Sequence, residues 1–182
     1  VQEGREEWAH ANGVAELPNG DIVVSFRTIS TIIIIDRKAG KIIWKLGAPP
    51  LCGQHAPTPL PNGNLLIFDN GPHRLDHVMP FSRVIEVEPA TKEVVWEYRE
   101  KREGDFFSPR ISNAQRLPNG NTLICEGDFG RFFEVTAGGE VVWEVEGGPA
   151  AASRLRLPVE GSRSQRRDDS PGSLRHPYLL RL

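Results

Sequence analysis

The tetrapeptide Leu-Pro-Asn-Gly occurs three times in this chain, at residues 17–20, 60–63 and 117–120, and each copy is followed by Asp or Asn and then an apolar run. Asn-Gly between two apolar stretches is a strong hairpin signal, because a two-residue turn needs positive φ at both central positions and Asn and Gly tolerate that best. Each copy therefore predicts the tip of one β-hairpin.

A tryptophan-bearing strand follows each hairpin, at residues 40–44, 92–96 and 139–143. Successive tetrapeptides begin 43 and 57 residues apart, and successive tryptophans lie 52 and 47 residues apart. This repeat length is typical of a four-stranded propeller blade. The strands predicted for the first unit cover residues 13–17, 22–27, 31–36 and 41–46, and the same order recurs around 64–68, 83–88 and 93–98 and again around 121–125, 131–135 and 140–145.

No run in residues 1–149 has the 3.6-residue apolar period of an amphipathic helix. The sequence therefore predicts an all-β fold, a β-propeller fragment of about three four-stranded blades. Known propellers close with about four to eight blades, so we expect the chain to be part of a larger ring, and Trp8 indicates the end of an earlier strand. Residues 150–182 lose the strand alternation and are rich in Arg, Ser and Pro, which predicts a disordered or poorly specified tail.

The composition excludes several classes of function. The chain is 38% apolar and 25% charged, with a net charge of −2. It lacks the basic stripe expected of a domain that binds nucleic acid and any apolar run near the roughly 20 residues of a membrane helix. We therefore expect neither nucleic acid nor membrane as a partner. Cys52 and Cys125 are too few for a disulfide framework and do not indicate a compartment.

Polar residues of different kinds stand at one place in the repeat. Five residues before the leucine of each tetrapeptide lie Asn12, His55 and Ser112, and His10 lies seven before the first. Because the first strand of a propeller blade lies nearest the central channel, these residues are predicted to surround one mouth of that channel. A repeated scaffold with a variable polar position is typical of a site built at the axis, although each side chain alone could simply satisfy backbone groups at a strand end.

His55 has the most suggestive surroundings, because glycine before it and prolines after it restrict the backbone around an imidazole. A neutral imidazole can act as a nucleophile or exchange a proton near neutral pH. Arg27, at the end of the second strand, offers a planar guanidinium suited to sulfate or phosphate oxygens, or is an ordinary exposed strand-end arginine. Asn113 adds an amide beside Ser112.

Two histidines and an aspartate in the segment from His73 to His77 are residue types that can bind a metal. The two histidines lie in a Gly/Pro-flanked loop between the second and third strands of their blade, and the sequence offers no further defined ligand set. We therefore expect no metal site there, and nothing in the sequence implies a cofactor.

Several segments together resemble the aryl-sulfate sulfotransferase (arylsulfotransferase) family, over about residues 5–146. They are Trp-Ala-His-Ala-Asn at 8–12, Phe-Arg at 26–27, Gly-Gln-His-Ala-Pro at 53–57, the run from Leu60 to Gly71, and the run from Ser112 to Ile124. The resemblance implies a six-bladed propeller that moves a sulfuryl group from an aryl sulfate to a phenol by ping-pong transfer through a sulfohistidine.

The resemblance also implies roles for individual residues. His55 would be the nucleophile, His10 and Asn12 would bind sulfuryl oxygens or move protons, and Arg27 would stabilise the transferring group. Ser112 stands where the family has a hydroxyl residue, and with Asn113 it is the remaining candidate for substrate binding. The partners implied are a small aryl sulfate donor and a phenolic acceptor.

Other expectations follow from what the chain contains. A histidine that the family takes from an earlier blade is not in this sequence, so the chain is either inactive alone or completed by self-association. Family members are commonly exported, which implies a periplasmic or extracellular location. The alternatives are a non-catalytic propeller that binds a protein or carbohydrate and, more distantly, a quinone-dependent dehydrogenase, for which no ligand set is recognisable.

Overall fold

The computed structural model describes residues 7–74 and 77–147, with Glu146 by its backbone alone. These residues form twelve β-strands and no α-helix. The strands make three four-stranded antiparallel sheets, so the predicted all-β fold is confirmed. The first sheet contains β1 (Ala11–Glu16), β2 (Ile22–Phe26), β3 (Thr31–Asp36) and β4 (Lys41–Leu46); the second contains β5 (His55–Pro59), β6 (Leu65–Asp69), β7 (Arg83–Val87) and β8 (Val94–Tyr98); the third contains β9 (Ser112–Arg116), β10 (Thr122–Glu126), β11 (Arg131–Val135) and β12 (Val141–Glu146).

Each sheet is a simple meander in which neighbours in sequence are neighbours in space. The three sheets are successive propeller blades, and the first strands of the blades pack side by side, with β5 in contact with both β1 and β9. The predicted strands match those observed within two residues. Strands β3 and β4 have the predicted bounds.

The hairpin turns differ from the two-residue type that the sequence predicted. In the first blade the Leu17 N–H donates to the Asp21 carbonyl at 2.8 Å, and the Gly20 N–H donates to the Leu17 carbonyl at 2.8 Å. Gly20 has a φ of 89°, whereas Asn19 does not have positive φ. The turn is therefore longer, with Pro18 at its first central position, because proline fixes φ near −65° and glycine then takes the left-handed position. Both other copies repeat these hydrogen bonds.

The hydrophobic core lies between blades, in two clusters. One cluster joins the first and second blades and the other joins the second and third, which explains why a single blade cannot bury its own apolar faces. Ile32 and Ile67 are fully buried in the first cluster, and Phe68 and Phe133 are fully buried in the second.

The repeated tryptophans join each blade to the next. Trp44 Nε1 donates to the Pro89 carbonyl at 2.8 Å, and Trp96 Nε1 donates to the Ala137 carbonyl at 2.8 Å. Both acceptors lie in the turn between the third and fourth strands of the following blade. A register shift precedes the tryptophan in each fourth strand, as between Trp44 and Ile42 opposite Ile34 and Ile35. Bulges of this kind redirect side chains.

The structure describes most of residues 1–149, the region that the sequence predicts to form the blades. The tail predicted for residues 150–182 lies outside the described residues, and that prediction stays untested. Among the described residues, no helix is long and apolar enough to cross a membrane.

Candidate active site

The start of β5 is anchored to the first blade by Gln54. This side chain is fully buried, and its Nε2 donates to Ser25 Oγ at 3.0 Å, to the Phe26 carbonyl at 3.2 Å and to the Thr31 carbonyl at 3.1 Å. Buried amides persist where their donors are satisfied in this way. The backbone position of the next residue, His55, is therefore determined by contacts with the neighbouring blade.

His55 forms a side-chain hydrogen bond within its own blade. Its Nδ1 lies 2.8 Å from Oδ1 of Asn70, the residue directly after β6. The Nδ2 of Asn70 donates to the Ser108 carbonyl at 2.6 Å and to Ser112 Oγ at 3.0 Å. Asn70 and Ser108 are fully buried. The structure thus brings His55 and Ser112 together through an asparagine that links the second and third blades.

Ser82 completes the support of this asparagine. Its Oγ donates to the Asn70 carbonyl at 2.8 Å and accepts the Ser108 N–H at 2.9 Å. Ser82 is also fully buried. A polar network in which every member is bonded is rigid, because each group that moves leaves a buried partner unpaired. The amide beside His55 is therefore held at both its backbone and its side chain.

The surroundings of His55 favour its neutral form. Burial lowers the pKa of His55 below the ordinary 6.5, hydrogen bonds to Asn70 and to the backbone of Gly53 oppose that effect, and the charge of Arg27 and the nearby imidazole of His10 lower the pKa. A cation near an imidazole disfavours a second positive charge. Arg27 and His10 therefore lie within electrostatic reach of His55, and the imidazole is a neutral base or nucleophile at pH 7.

His10 and Arg27 are linked through their backbones, since the Arg27 N–H donates to the His10 carbonyl at 3.0 Å. The His10 side chain is 39% exposed, and its Nδ1 lies 3.4 Å from Glu7 Oε2. His10 has a φ of 43°, an uncommon conformation for a residue other than glycine. Ala56, directly after His55, has a φ of 48°. Unusual backbone conformations of this kind cluster at functional sites.

Asn12 lies against the same segment of chain. Its Nδ2 donates to the Gln54 carbonyl at 2.8 Å. Its Oδ1 is buried, and no hydrogen-bond partner for that atom is recorded within the described residues. A buried acceptor without a partner costs free energy unless a donor reaches it. Asn12 therefore supports the chain directly before His55 through its Nδ2.

Asn113 is placed differently from its neighbour Ser112. Successive side chains of a strand point to opposite faces, and Asn113 is exposed whereas Ser112 is partly buried. The Asn113 Oδ1 accepts the N–H of Ala114 at 2.8 Å. The structure does not bring Asn113 to His55, and its role in binding substrate stays a prediction.

The other groups considered from the sequence lie elsewhere. His73 is exposed in its loop, whereas His77 Nδ1 lies 2.7 Å from Glu103 Oε1. Within residues 7–74 and 77–147, no three His, Cys, Asp or Glu side chains form a group that could hold a metal ion. Cys52 and Cys125 are free thiols, and burial raises the pKa of each. Raised pKa values make these cysteines poor nucleophiles.

Asn70 and Gln54 were not predicted as site residues, although both lie in the segments that resemble the family. A signal for Asn70 was present. It stands ten residues after the leucine of its tetrapeptide, the place that Arg27 has in the first repeat. Applying the repeat alignment to the end of the second strand, as well as to the first strand, would have identified it.

Solved structures share the fold of this chain at low sequence identity. A Bacteroides caccae protein of unknown function is 24% identical, with a TM-score of 0.54 over 74% of this chain and 45% of that one. Virginiamycin B lyase from Staphylococcus aureus is 16% identical, with a TM-score of 0.55 over 82% and 44%. BamB from Moraxella catarrhalis is 17% identical, with a TM-score of 0.52 over 79% and 40%. The chain thus spans less than half the length of these proteins.

No curated protein matches the chain. The family comparison gives a different result, because the model described as arylsulfotransferase (ASST) matches residues 2–148, most of the sequence. The match includes all three blades and every residue of the candidate site. It supports a sulfotransferase-type function, in agreement with the resemblance noted from the motifs. The chain therefore belongs to the arylsulfotransferase family.

Proposed function

We propose that this protein transfers a sulfuryl group from an aryl sulfate to a phenolic acceptor, with His55 as the nucleophile. The observation that carries the proposal is the placement of His55. It is a partly buried imidazole held by Asn70 at 2.8 Å, kept neutral by burial and by the charge of Arg27. Family membership supports the choice of a sulfuryl group over a phosphoryl or acyl group.

The first half-reaction moves the sulfuryl group to the protein. An unprotonated imidazole nitrogen of His55 attacks the sulfur, an N–S bond forms, and the bond from sulfur to the aryl oxygen breaks. The electron pair of that bond leaves with the phenolate. Arg27 supplies a positive charge for the non-reacting sulfuryl oxygens. Such a charge stabilises the transition state most when the guanidinium is already in position before the reaction.

The second half-reaction returns the imidazole to its starting state. A phenol loses its proton, its oxygen attacks the sulfur, and the N–S bond breaks with its electron pair returning to the imidazole. His10 is the candidate to accept the phenol proton, and Asn12 is a candidate to contact the substrate on the strength of family membership. Because the sulfuryl group rests on His55 between the two steps, the kinetics should be ping-pong.

Ser112 belongs to this proposal through Asn70, which donates to its hydroxyl oxygen. Every partner we propose is a small molecule, an aryl sulfate and a phenol, and the mechanism needs no cofactor. We also propose a periplasmic or extracellular location, which rests on family membership alone. Self-association that completes a ring remains part of the proposal for the whole protein.

The test is mass spectrometry of the protein after brief incubation with 4-nitrophenyl sulfate, while the release of nitrophenol is followed. We expect a sulfuryl adduct on the peptide containing His55, and its loss in His55→Ala. His73→Ala is the matched control, because His73 is an exposed histidine in a loop, and it should keep both the adduct and the release.

Two results would overturn the proposal. One is unchanged nitrophenol release by His55→Ala. The other is a folded protein that forms no adduct and releases no nitrophenol even in a longer protein that contains additional blades. That second result would leave the non-catalytic binding propeller as the better interpretation.

A further inference from the structure

The amide of Asn70 has one orientation that its neighbours allow. The Ser108 carbonyl lies 2.6 Å from Asn70 Nδ2, and a carbonyl oxygen can only accept a hydrogen bond. Rotating the amide by half a turn would place Oδ1 against that carbonyl, two acceptors at hydrogen-bond distance in a fully buried site. The orientation of an asparagine amide is assigned from such a network. Nδ2 therefore faces Ser108, and Oδ1 faces His55.

This orientation determines which imidazole nitrogen carries the proton. The Oδ1 of Asn70 is an acceptor only, and His55 Nδ1 lies 2.8 Å from it. The close contact is favourable only when Nδ1 bears a hydrogen. In neutral imidazole one nitrogen is a donor and the other an acceptor, so Nε2 then holds the free lone pair.

We propose that Asn70 is a positioning residue that keeps neutral His55 in the Nδ1–H tautomer and so makes Nε2 the nucleophilic nitrogen. The assignment of the tautomer stands on the hydrogen-bond geometry alone. The role of Nε2 as the nucleophile rests on the proposed sulfuryl transfer. The positioning is strong because Asn70 is itself held by three serines of the second and third blades: Ser82, Ser108 and Ser112.

The same hydrogen bond can persist in the sulfohistidine intermediate. When Nε2 forms the N–S bond, the ring keeps its Nδ1 proton and becomes cationic, and no proton needs to move. Asn70 Oδ1 continues to accept from Nδ1–H, and hydrogen bonds to charged groups are stronger than those between neutral groups. When the N–S bond breaks, Nε2 regains its electron pair and the starting tautomer is restored.

The direct test is long-range ¹H–¹⁵N NMR of the uniformly ¹⁵N-labelled protein at pH 7.5, with His55 assigned by its absence in His55→Gln. The pattern of nitrogen shifts and couplings distinguishes the Nδ1–H from the Nε2–H form. We expect the Nδ1–H form in the unmodified protein. Observing the Nε2–H form would overturn the inference, whatever the activity of the protein.

Variants test the role of Asn70. Asn70→Ala should move His55 toward the Nε2–H form and slow nitrophenol release by about 10²-fold or more, since a catalytic histidine in the wrong tautomer can lose about 10⁴-fold. Asn119→Ala, which removes an amide from the hairpin of the third blade, is the control and should leave the His55 spectrum unchanged.

The outcomes separate this inference from the proposed function. An Nδ1–H tautomer that Asn70→Ala shifts, in a protein that forms no sulfuryl adduct even with additional blades, would contradict the proposed transfer and support the positioning. Transfer with a tautomer that Asn70→Ala leaves unchanged, in a variant whose circular dichroism shows that it is folded, would contradict the positioning and leave the proposed function intact.

Discussion

Trp44 donates its indole N–H to the carbonyl of Pro89, across the interface between the first and second blades. Trp44→Phe keeps an aromatic ring in the interface and removes this hydrogen bond. We expect a loss of about 1 kcal/mol in the free energy of unfolding, the usual net worth of one hydrogen bond, measured by urea denaturation.

Trp143 provides the matched control for that change. It is 42% exposed, and no acceptor for its indole is recorded within the described residues. Trp143→Phe should change the free energy of unfolding of this chain by less than about 0.5 kcal/mol, as is usual for surface positions. Equal losses in the two variants would show that the contact with Pro89 does not stabilise the interface.

Glu86 should make stability depend on pH. Burial alone would raise its pKa, but hydrogen bonds from Asn64 and Asn62 and the charge of Arg116 hold the pKa of Glu86 below the ordinary 4.5. A carboxyl with a lowered pKa contributes stability that is full above its unfolded value and is lost as the pH falls through its folded value. Glu86→Gln should therefore cost about 1.5 to 3 kcal/mol at pH 7.

That difference between Glu86→Gln and the unmodified protein should shrink as the pH falls below 4.5. Urea denaturation at several pH values measures it. Glu134→Gln is the control, because Glu134 accepts from two asparagines of its own hairpin, Asn119 and Asn121, whereas Glu86 also binds Arg116 of the next blade. A constant cost of Glu86→Gln from pH 7 to pH 4 would contradict a role for the charge.

Gly71→Ala should be strongly destabilising. Gly71 has a φ of +71°, and an added Cβ would lie 2.0 Å from the Phe81 carbonyl oxygen, which is backbone and cannot simply rotate away. Gly63 has a φ of +88° and nothing within 4 Å of the same position, so Gly63→Ala should cost only the strain of about 1 kcal/mol.

We expect Gly71→Ala to cost at least about 2 kcal/mol more than Gly63→Ala, measured by thermal unfolding. Because Gly71 directly follows Asn70, the displaced backbone should also change the NMR signals of His55. Equal stability of the two variants would show that this loop adjusts freely.

His55 should make the protein less stable in mild acid. Its pKa is lowered by burial, so the folded state resists the proton that the unfolded state accepts. Stability from this group is full above pH 6.5 and is lost as the pH falls from 6.5 through the folded pKa. Between pH 7.5 and 5.5 the unmodified protein should lose more stability than His55→Gln. An NMR titration that placed the pKa of His55 above 6.5 would contradict this.

Much of the fold could be predicted because it depends on local sequence patterns. The bounds of Thr31–Asp36 and Lys41–Leu46 followed from β-branched runs and from the turn between them. The predicted type of hairpin turn was wrong, because Pro18, whose φ is fixed near −65°, favours the first central position of a longer turn. The register shifts before the tryptophans depend on how each blade fits its neighbour, which no local pattern shows.

The candidate site could be predicted only in part. His55, Arg27 and His10 could be proposed from the motifs, and the structure brings them within electrostatic reach. The orientation of the Asn70 amide depends on a hydrogen bond to the carbonyl of Ser108, 38 residues later in the chain. Such a contact forms only when the blades pack together. Asn113 lies on the opposite face of its strand from Ser112, because neighbours in a strand share a level of the repeat but not a face, and its role in binding stays a prediction.

The contacts of His55 also have an order in time on a growing chain. Gln54 binds residues 23 to 29 positions earlier, so the position of the imidazole can be established once the first blade and the start of the second have emerged. The acceptors of Asn70 Nδ2 lie 38 and 42 positions later, in segments synthesised afterwards. The position of the histidine therefore depends on the first blade, whereas the orientation of the amide that contacts its ring depends on residues that lead into and begin the third blade.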